Sequence, residues 1–228
     1  MGYHGKPDWG LQLKKTVYTF DDLSELAVRL GSEVFFDRRG DVYLIENFEN
    51  GLAKWEIDGS GSGWDCVLTS EKASAGGYSV KLTGGKTSGY ESSITKYFPY
   101  PVLSKWGFET HFGCGKDMDQ IYFTLSLQTG THQKAATILY DRLNKLLQYK
   151  DLEGIYRNIK TSYTIREYGH QFNVLKIVAD LENLKYTRLI INEDVFDLSN
   201  YDLFSTSDTT DEYMWVRPEF FSKSGVNG

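Results

Sequence analysis

Two acidic side chains stand at alternate positions of a short apolar segment. Glu56 and Asp58 flank Ile57 directly after Trp55, and alternate residues of a β-strand point to the same face. Two carboxyl groups held about 5 to 5.5 Å apart can cleave a glycosidic bond with retention of configuration. The chain turns at once through residues 59–61, Gly-Ser-Gly, so no further carboxylate follows on this strand. The pattern favours a strand that ends in a turn over a hydrolytic site.

The other residue types that carry enzymatic chemistry show no catalytic spacing. The four histidines lack metal-ligand spacing, no Gly-x-Ser-x-Gly sequence occurs, and no glycine run opens a helix as a phosphate-binding loop does. The two cysteines, Cys66 and Cys114, fall in predicted strands, where buried thiols are favoured over a single disulfide bridge. We therefore predict that the protein is not an enzyme.

Aromatic side chains on strands are the best candidates for contact with a ligand. Residues 121–128 alternate between apolar and polar side chains. One face of this strand is therefore predicted to be buried in the core and the other to be wet, that is, exposed to solvent. Tyr122 and Gln128 lie on the wet face, where a ring and an amide could bind a sugar. Core or interface packing is the alternative for any of these rings, because aromatic residues are enriched in strands for packing alone. The further candidate rings for sugar binding are Trp64, Tyr90, Tyr140, Tyr149 and Tyr156.

Strands are the elements that must position these residues. The chain has 228 residues, of which 15% are aromatic and 22 are Gly, a composition that favours many short strands joined by tight turns. The strand patterns do not alternate with helices, which argues against a parallel α/β sheet. We predict one all-β domain over residues 41–228, a two-sheet antiparallel β-sandwich. Strands are predicted at residues 42–45, 55–57, 64–68, 78–82, 92–98, 106–114, 121–128, 135–140, 146–150, 155–160, 172–179 and 185–194.

Residues 1–40 are predicted to form an N-terminal arm with one short helix at about residues 22–30. Asp22 is a suitable N-cap with Glu25 three residues later, and Gly31 suits the C-terminal end. The apolar stripe of this helix must pack on a surface. That surface is either a neighbouring subunit or one end of the chain's own sandwich. The residues predicted to make subunit contacts are Trp9, Leu23, Leu26, Leu30, Arg38 and Arg39.

Two segments resemble known carbohydrate-binding folds. Residues 46–82, with Phe48-Glu49, Gly51 and Trp55 followed by a strand at 78–82, resemble the opening of many carbohydrate-binding modules. Residues 173–181 and 185–194 resemble a hairpin of concanavalin A-like lectin and laminin-G folds. The resemblance implies a jelly roll of two antiparallel sheets. Many such modules end in one further strand, whereas residues 222–228 are turn-like, so we expect that this strand is absent or that the arm replaces it.

The resemblance also implies two site chemistries. In several carbohydrate-binding modules the glutamate that corresponds to Glu49 helps to hold a structural Ca²⁺, although a solvated carboxylate at a strand end is the alternative here. Residues 55–58 are similar to the start of the catalytic strand of laminarinase-type glycoside hydrolases. Gly61 stands where those enzymes have their second glutamate. A glycoside hydrolase of jelly-roll fold is therefore only a remote alternative.

The arm gives the first of two functional hypotheses. Residues 23–32 and 36–41 resemble the lead-in of phage-associated structural proteins, which implies a capsid decoration or tail-associated subunit of a virion. Such a protein would contact copies of itself or other capsid or tail proteins. The second hypothesis is a carbohydrate-binding or lectin-like module that contacts surface glycans. Outside a virion, we expect an extracellular or cell-surface location reached by a non-classical route.

Charge and hydropathy argue against two other kinds of partner. The net charge of −6 argues against a nucleic-acid partner, and no apolar run is long enough to span a bilayer. We therefore predict neither a nucleic-acid nor a membrane partner, and no cofactor apart from the Ca²⁺ that the resemblance implies.

Overall fold

The computed structural model describes residues 39–85, 89–115, 118–168 and 171–222, and these residues form strands and no helix. The described part therefore also contains no helix of the length and apolarity that crossing a membrane requires. The strands are β1 (Glu56–Gly59), β2 (Asp65–Thr69), β3 (Ser79–Thr83), β4 (Glu91–Pro99), β5 (Lys105–Phe112), β6 (Met118–Gln128), β7 (His132–Asp141), β8 (Leu146–Lys150), β9 (Tyr156–Thr161), β10 (Asn173–Asp180), β11 (Lys185–Ile191), β12 (Asp194–Asp197), β13 (Phe204–Ser207) and β14 (Tyr213–Ser222).

The strands form two main antiparallel sheets and a hairpin. The large sheet has the order β1-β4-β14-β6-β7-β8-β9, and β13 pairs with β7 beside β8. The small sheet has the order β12-β11-β10-β5, and β2 pairs with β3. Sheets of antiparallel strands with long connections between them are typical of jelly rolls.

The core lies between the large and small sheets. Ile121, Phe123, Leu125 and Leu127 alternate along β6, and they are all buried in one cluster with side chains of β10 and β11. Phe112 of β5 contacts Phe123 of β6, with ring centroids 4.8 Å apart. Burial of alternate residues from two facing sheets is the arrangement of a β-sandwich. The prediction of an all-β antiparallel sandwich is confirmed.

The final strand, β14, lies in the middle of the large sheet. It pairs with β4 on one side and β6 on the other. Pro218 lacks a backbone N–H and would weaken a central ladder. The pairing with β4 accordingly skips Arg217 and Pro218, whereas the pairing with β6 continues through them. The expectation that a last strand is absent or replaced by the arm is therefore wrong.

The predicted strand at residues 42–45 is also wrong. These four residues are not extended in a sheet, and their side chains are 39 to 64% exposed. A short apolar run satisfies a strand pattern, but a strand also needs a partner for its backbone groups. The contacts divide the chain between Asn47 and Phe48. The predicted helix at 22–30 lies outside the described residues, and the predicted boundary after residue 40 stays a prediction.

Candidate functional site

One face of the large sheet carries polar and aromatic side chains instead of core residues. In register across the sheet, Tyr122 of β6 lies between Glu219 of β14 and Leu139 of β7. Side chains opposite one another in neighbouring strands point to the same face. We call this surface the polar face. From β4 it includes Glu91, Ser93, Thr95 and Tyr97, and from β14 it includes Tyr213, Trp215, Arg217, Glu219 and Phe221.

A groove of about 290 Å³ opens on the polar face. Six strands contribute to its lining, namely β6, β7, β8, β9, β13 and β14. Its rings contact one another, since the Tyr122 centroid lies 5.0 Å from that of Phe221 and 5.8 Å from that of Tyr156. Trp215 and Phe204 supply two further rings. Besides the polar atoms of Tyr122, Tyr156 and Trp215, the side chains in the groove that can hydrogen-bond are those of Thr124, Gln133, Thr137, Lys150 and Glu219.

Glu219 is the acidic group in the lining of the groove, at the end nearest β4. Burial and the nearby charge of Glu91 together raise the pKa of its carboxyl to about 7. Glu91 lies diagonally across from Glu219, because its register partner on β14 is Phe221. The protonated Glu219 carboxyl donates a hydrogen bond to Glu91. Desolvation and a like charge both favour the neutral form of an acid, so Glu219 changes charge near neutral pH.

Two tyrosines of the groove lie close to this carboxyl. Burial and, after it, the charge of Glu219 raise the pKa of Tyr122 to about 12. Burial also raises the pKa of Tyr156, and the neighbouring Tyr122 and Glu219 make smaller contributions in the same direction. Both phenols are therefore neutral hydrogen-bond donors at neutral pH.

Two cations hold fixed positions on the polar face. The Arg217 guanidinium lies 4.9 Å from the centre of the Trp215 ring, and its Nε donates a hydrogen bond of 2.7 Å to Thr95 Oγ1. The Lys150 ammonium lies 3.8 Å from the centre of the Phe204 ring. Burial lowers the pKa of Lys150. Both contacts place a cation over the negative face of an aromatic ring.

Two of the predicted sugar-binding residues lie together in the groove, and two others are corrected. Tyr122 and Tyr156 line the groove. Gln128 is on the polar face but is only 4% exposed. Tyr140 faces the opposite way, into the core, where it is 1% exposed. Tyr149 is likewise a core residue.

The prediction that the second face of β6 is wet also needs correction. Thr124, Ser126 and Gln128 are all buried, because neighbouring strands of the large sheet cover them with longer side chains. Gln133 from β7, for example, donates from Nε2 to Ser126 Oγ at 3.1 Å. On this face of residues 121–128, only Tyr122 is accessible to solvent, where it lines the groove.

Trp64 and Tyr90 lie outside the lining of the groove. Both are half-buried. The Trp64 ring packs against Gly59, and the Tyr90 ring packs against Gly61 and Gly85. These rings are in contact with turns of their own chain, which is the packing alternative weighed for them.

Glu49 makes a contact of its own within the chain. Its Oε1 accepts a hydrogen bond from the backbone N–H of Gly77, and so the Phe48-Glu49 segment is tied to the turn before β3. No group of three or more histidine, cysteine or acidic residues that could hold a metal ion occurs among the described residues. Calcium in proteins takes six to eight oxygen ligands, backbone carbonyls included, and the role of Glu49 in holding Ca²⁺ stays a prediction.

Glu56 and Asp58 point to the polar face from the edge strand β1. Their register partners on β4 are Thr95 and Ser93. The Tyr97 hydroxyl donates to Glu56, which together with burial raises the pKa of Tyr97 to about 12. Asp58 is close enough to add to the raised pKa of Glu219. The sequence pattern of this strand contains only these two carboxylates, and the neighbouring strands β4 and β14 add Glu91 and Glu219 to the same face.

The remaining predicted residues lie elsewhere. Arg39 is exposed, and the other residues predicted for subunit contacts, Trp9, Leu23, Leu26, Leu30 and Arg38, lie outside the described residues. Cys66 and Cys114 are buried free thiols. Burial raises the pKa of each thiol to about 11, which makes both unreactive as nucleophiles.

The main residues of the groove that sequence reasoning missed come from β14. Trp215 and Glu219 alternate with core residues such as Met214 and Val216, and that alternation was the available signal. Lys150 and Phe204 gave no signal, because they meet only through the pairing of β8 and β13 with β7.

Comparison with known proteins relates the chain to solved structures only. No family model and no curated protein sequence matches it. The carbohydrate recognition domain of Emp46p in its potassium-bound form has 11% identity and a TM-score of 0.41, and the match covers 79% of this chain and 87% of that chain. A β-glucanase of Bacillus licheniformis has 11% identity and a TM-score of 0.43, with 79% and 85% covered.

A third solved structure is the carbohydrate-binding module CBM66 of Bacillus subtilis, with 12% identity and a TM-score of 0.32 over 71% of this chain and 92% of that chain. Likeness at this level of identity concerns the fold alone, because one fold hosts many functions.

Proposed function

We propose that the protein is a non-enzymatic attachment protein that binds glycans in the groove of its large sheet. One observation carries the proposal, namely that aromatic rings and hydrogen-bonding groups alternate around a single opening on the polar face. A sugar ring has apolar C–H faces and hydroxyl edges, so it needs flat apolar surfaces and polar groups side by side. Concave sites that combine rings with a few placed polar groups are the usual form of small-ligand sites.

The size and rigidity of the groove support a sugar ligand. A cavity of about 290 Å³ suits one or two rings of a longer chain. Tyr122 is fixed between the rings of Phe221 and Tyr156, and the Trp215 ring is held by the Arg217 guanidinium. Rings already fixed by packing lose little conformational entropy when a ligand stacks on them.

The carboxyl geometry supports binding over cleavage. Glycoside hydrolysis uses two carboxyl groups on opposite sides of the scissile bond, about 5 to 9.5 Å apart depending on the mechanism. Glu219 instead donates a hydrogen bond directly to Glu91. Two groups in hydrogen-bond contact leave no room for a sugar between them. This contact is the reason for proposing a non-enzymatic role.

Replacement of Trp215 tests the proposal. Trp215→Ala removes a stacking surface from the groove, and we expect at least a tenfold loss of affinity for whichever glycan binds the unmodified chain on an array. Tyr168→Ala is the matched control, because this ring is 69% exposed and does not line the groove. Absence of any glycan binding by the unmodified chain would refute the proposal. Equal binding by the Trp215→Ala variant and the unmodified chain would show that the glycan site lies outside the groove.

The finer part of the proposal is a phage virion component, a capsid decoration or tail-associated subunit that carries the glycan site on its surface. Its support is the sequence of the arm, in which the predicted helix carries an apolar stripe that must pack on a surface. We expect light scattering during gel filtration to give a defined oligomer for the full chain. The Leu26→Glu variant should be a monomer, because it puts a charge into the apolar stripe of the predicted helix. The Arg39→Glu variant tests whether the exposed end of the arm also contributes to the oligomer. A monomeric full chain would contradict self-assembly and leave contacts with other capsid or tail proteins as the remaining form of this proposal.

A further inference from the structure

We propose that Glu219 is the residue that selects the ligand of the groove, accepting the hydroxyl groups of neutral sugars and excluding acidic ones. The inference rests on the proposed function and adds to it a ligand class and a residue that determines it. Three features of the structure carry it: the position of Glu219, the charges that face it and the contact with Glu91.

Glu219 lies at the end of the groove nearest β4. It is on the interior strand β14, directly opposite Tyr122 of β6. The Tyr122 ring is flanked by Phe221 and Tyr156, and all four side chains line the same opening. A sugar stacked on the Tyr122 ring would lie next to Glu219, its register partner, within reach of a hydroxyl-to-carboxyl hydrogen bond. A carboxylate can accept two such hydroxyls at once, and charge-assisted hydrogen bonds are about twice as strong as neutral ones.

The charges that face Glu219 are mostly negative. Glu91 of β4 and Asp58 of β1 both raise its pKa, whereas Arg217 on its own strand lowers it. Arg217 is already held by Thr95 and by the Trp215 ring. A uronic or sialic acid carboxylate placed beside Glu219 would meet like charges in a partly desolvated site, where repulsion is weakly screened.

The remaining ionisable groups do not offset this charge. Tyr122 on β6 and Tyr156 on β9 are neutral at neutral pH, since burial raises the pKa of each. Lys150 on β8 sits over the Phe204 ring, on the side of the groove away from β1 and β4 in the strand order. The end of the groove around Glu219 therefore stays acidic.

The contact with Glu91 makes ligand selection depend on pH. Below neutral pH the Glu219 proton is shared with Glu91, and above it the carboxyl is ionised and free to accept two sugar hydroxyls. The ionised fraction of a group with a pKa of about 7 rises on the order of thirtyfold from pH 5.5 to pH 8.5. We expect affinity for neutral glycans to rise at least tenfold over this range.

The test uses an array of neutral, uronate-bearing and sialylated glycans, read with the full chain at pH 5.5, 7 and 8.5, with calorimetry on the strongest neutral ligand. The expected result is binding to neutral glycans only, tighter at high pH. Glu219→Gln should bind with the low affinity of the unmodified chain at pH 5.5 and show no pH dependence. Glu91→Gln should move the midpoint of the pH profile downward, because it removes a neighbouring negative charge. Glu182→Gln, an exposed change in the turn after β10, is the control.

The outcomes separate this inference from the proposed function. Neutral glycans bound with a flat pH profile, or acidic glycans bound as tightly as neutral ones, would overturn the role of Glu219 and leave glycan binding in the groove intact. A pH profile that persists in Glu219→Gln would also overturn it. If no glycan binds at any pH, the proposed function fails and the role of Glu219 falls with it.

Discussion

The carboxyl of Glu219 is stabilised in its neutral form by the folded chain. In an unfolded chain its pKa would be close to 4.5, whereas burial and Glu91 raise it to about 7 in the fold. At pH values between these two pKa values, the native state therefore still holds a proton that the unfolded state has already released. The free energy of unfolding therefore falls as pH rises from about 4.5 to about 7 and stays lower above that range. The fold tolerates this cost at the place where we expect ligand binding.

This cost can be measured without a ligand. Glu219→Gln replaces the carboxyl by a neutral amide of similar shape, so it should be about 1 to 3 kcal/mol more stable than the unmodified chain at pH 8. The difference should vanish at pH 4.5, where Glu219 is already protonated. Urea unfolding at a series of pH values measures it, and Glu182→Gln should follow the unmodified chain throughout. A difference that is independent of pH would contradict the buried, proton-sharing state of Glu219.

The strands differ in how well the sequence predicts them. The alternation of residues 121–128 predicts β6, and the polar turn between residues 181 and 185 predicts the pairing of β10 with β11. The predicted strands from residue 55 onward all overlap observed ones, with ends that differ by at most three residues. Period-two patterns carry this information because one face of each strand must be buried.

β14 and the groove could not be predicted from pattern alone. Pro218 argues against a central strand, and only the pairing observed in the structure shows how the ladder with β4 skips it. Trp215 and Glu219 become site residues only because β14 inserts between β4 and β6, a neighbour relation that no local pattern encodes. Tyr140 fails for a related reason, since a ring on a strand can point to either face and the face depends on register.

A tyrosine joins the two sheets behind the groove. β7 pairs with β8 along one part of its edge and with β13 along another, and Thr137 lies between these two parts. The Tyr186 hydroxyl reaches this gap from the small sheet. It accepts a hydrogen bond of 2.9 Å from the Thr137 N–H and donates one of 2.8 Å to the Lys150 carbonyl. The side chains of Thr137 and Lys150 line the groove on the other side of the sheet, so the core and the site share this contact.

Removal of that hydroxyl should therefore affect both stability and binding. Tyr186→Phe leaves a buried N–H and a buried carbonyl without their partner, and we expect a loss of about 1 to 3 kcal/mol in the free energy of unfolding. The backbone of Thr137 and Lys150 also loses its hydrogen bonds to the core, so glycan affinity should fall. Affinity is to be measured at a temperature where the variant is fully folded. Urea unfolding and calorimetry measure the two effects, with the exposed Tyr168→Phe as the control. Unchanged affinity in a destabilised Tyr186→Phe would show that the groove is held by the large sheet alone, because the strand pairings of β7, β8 and β13 would then suffice to position its lining.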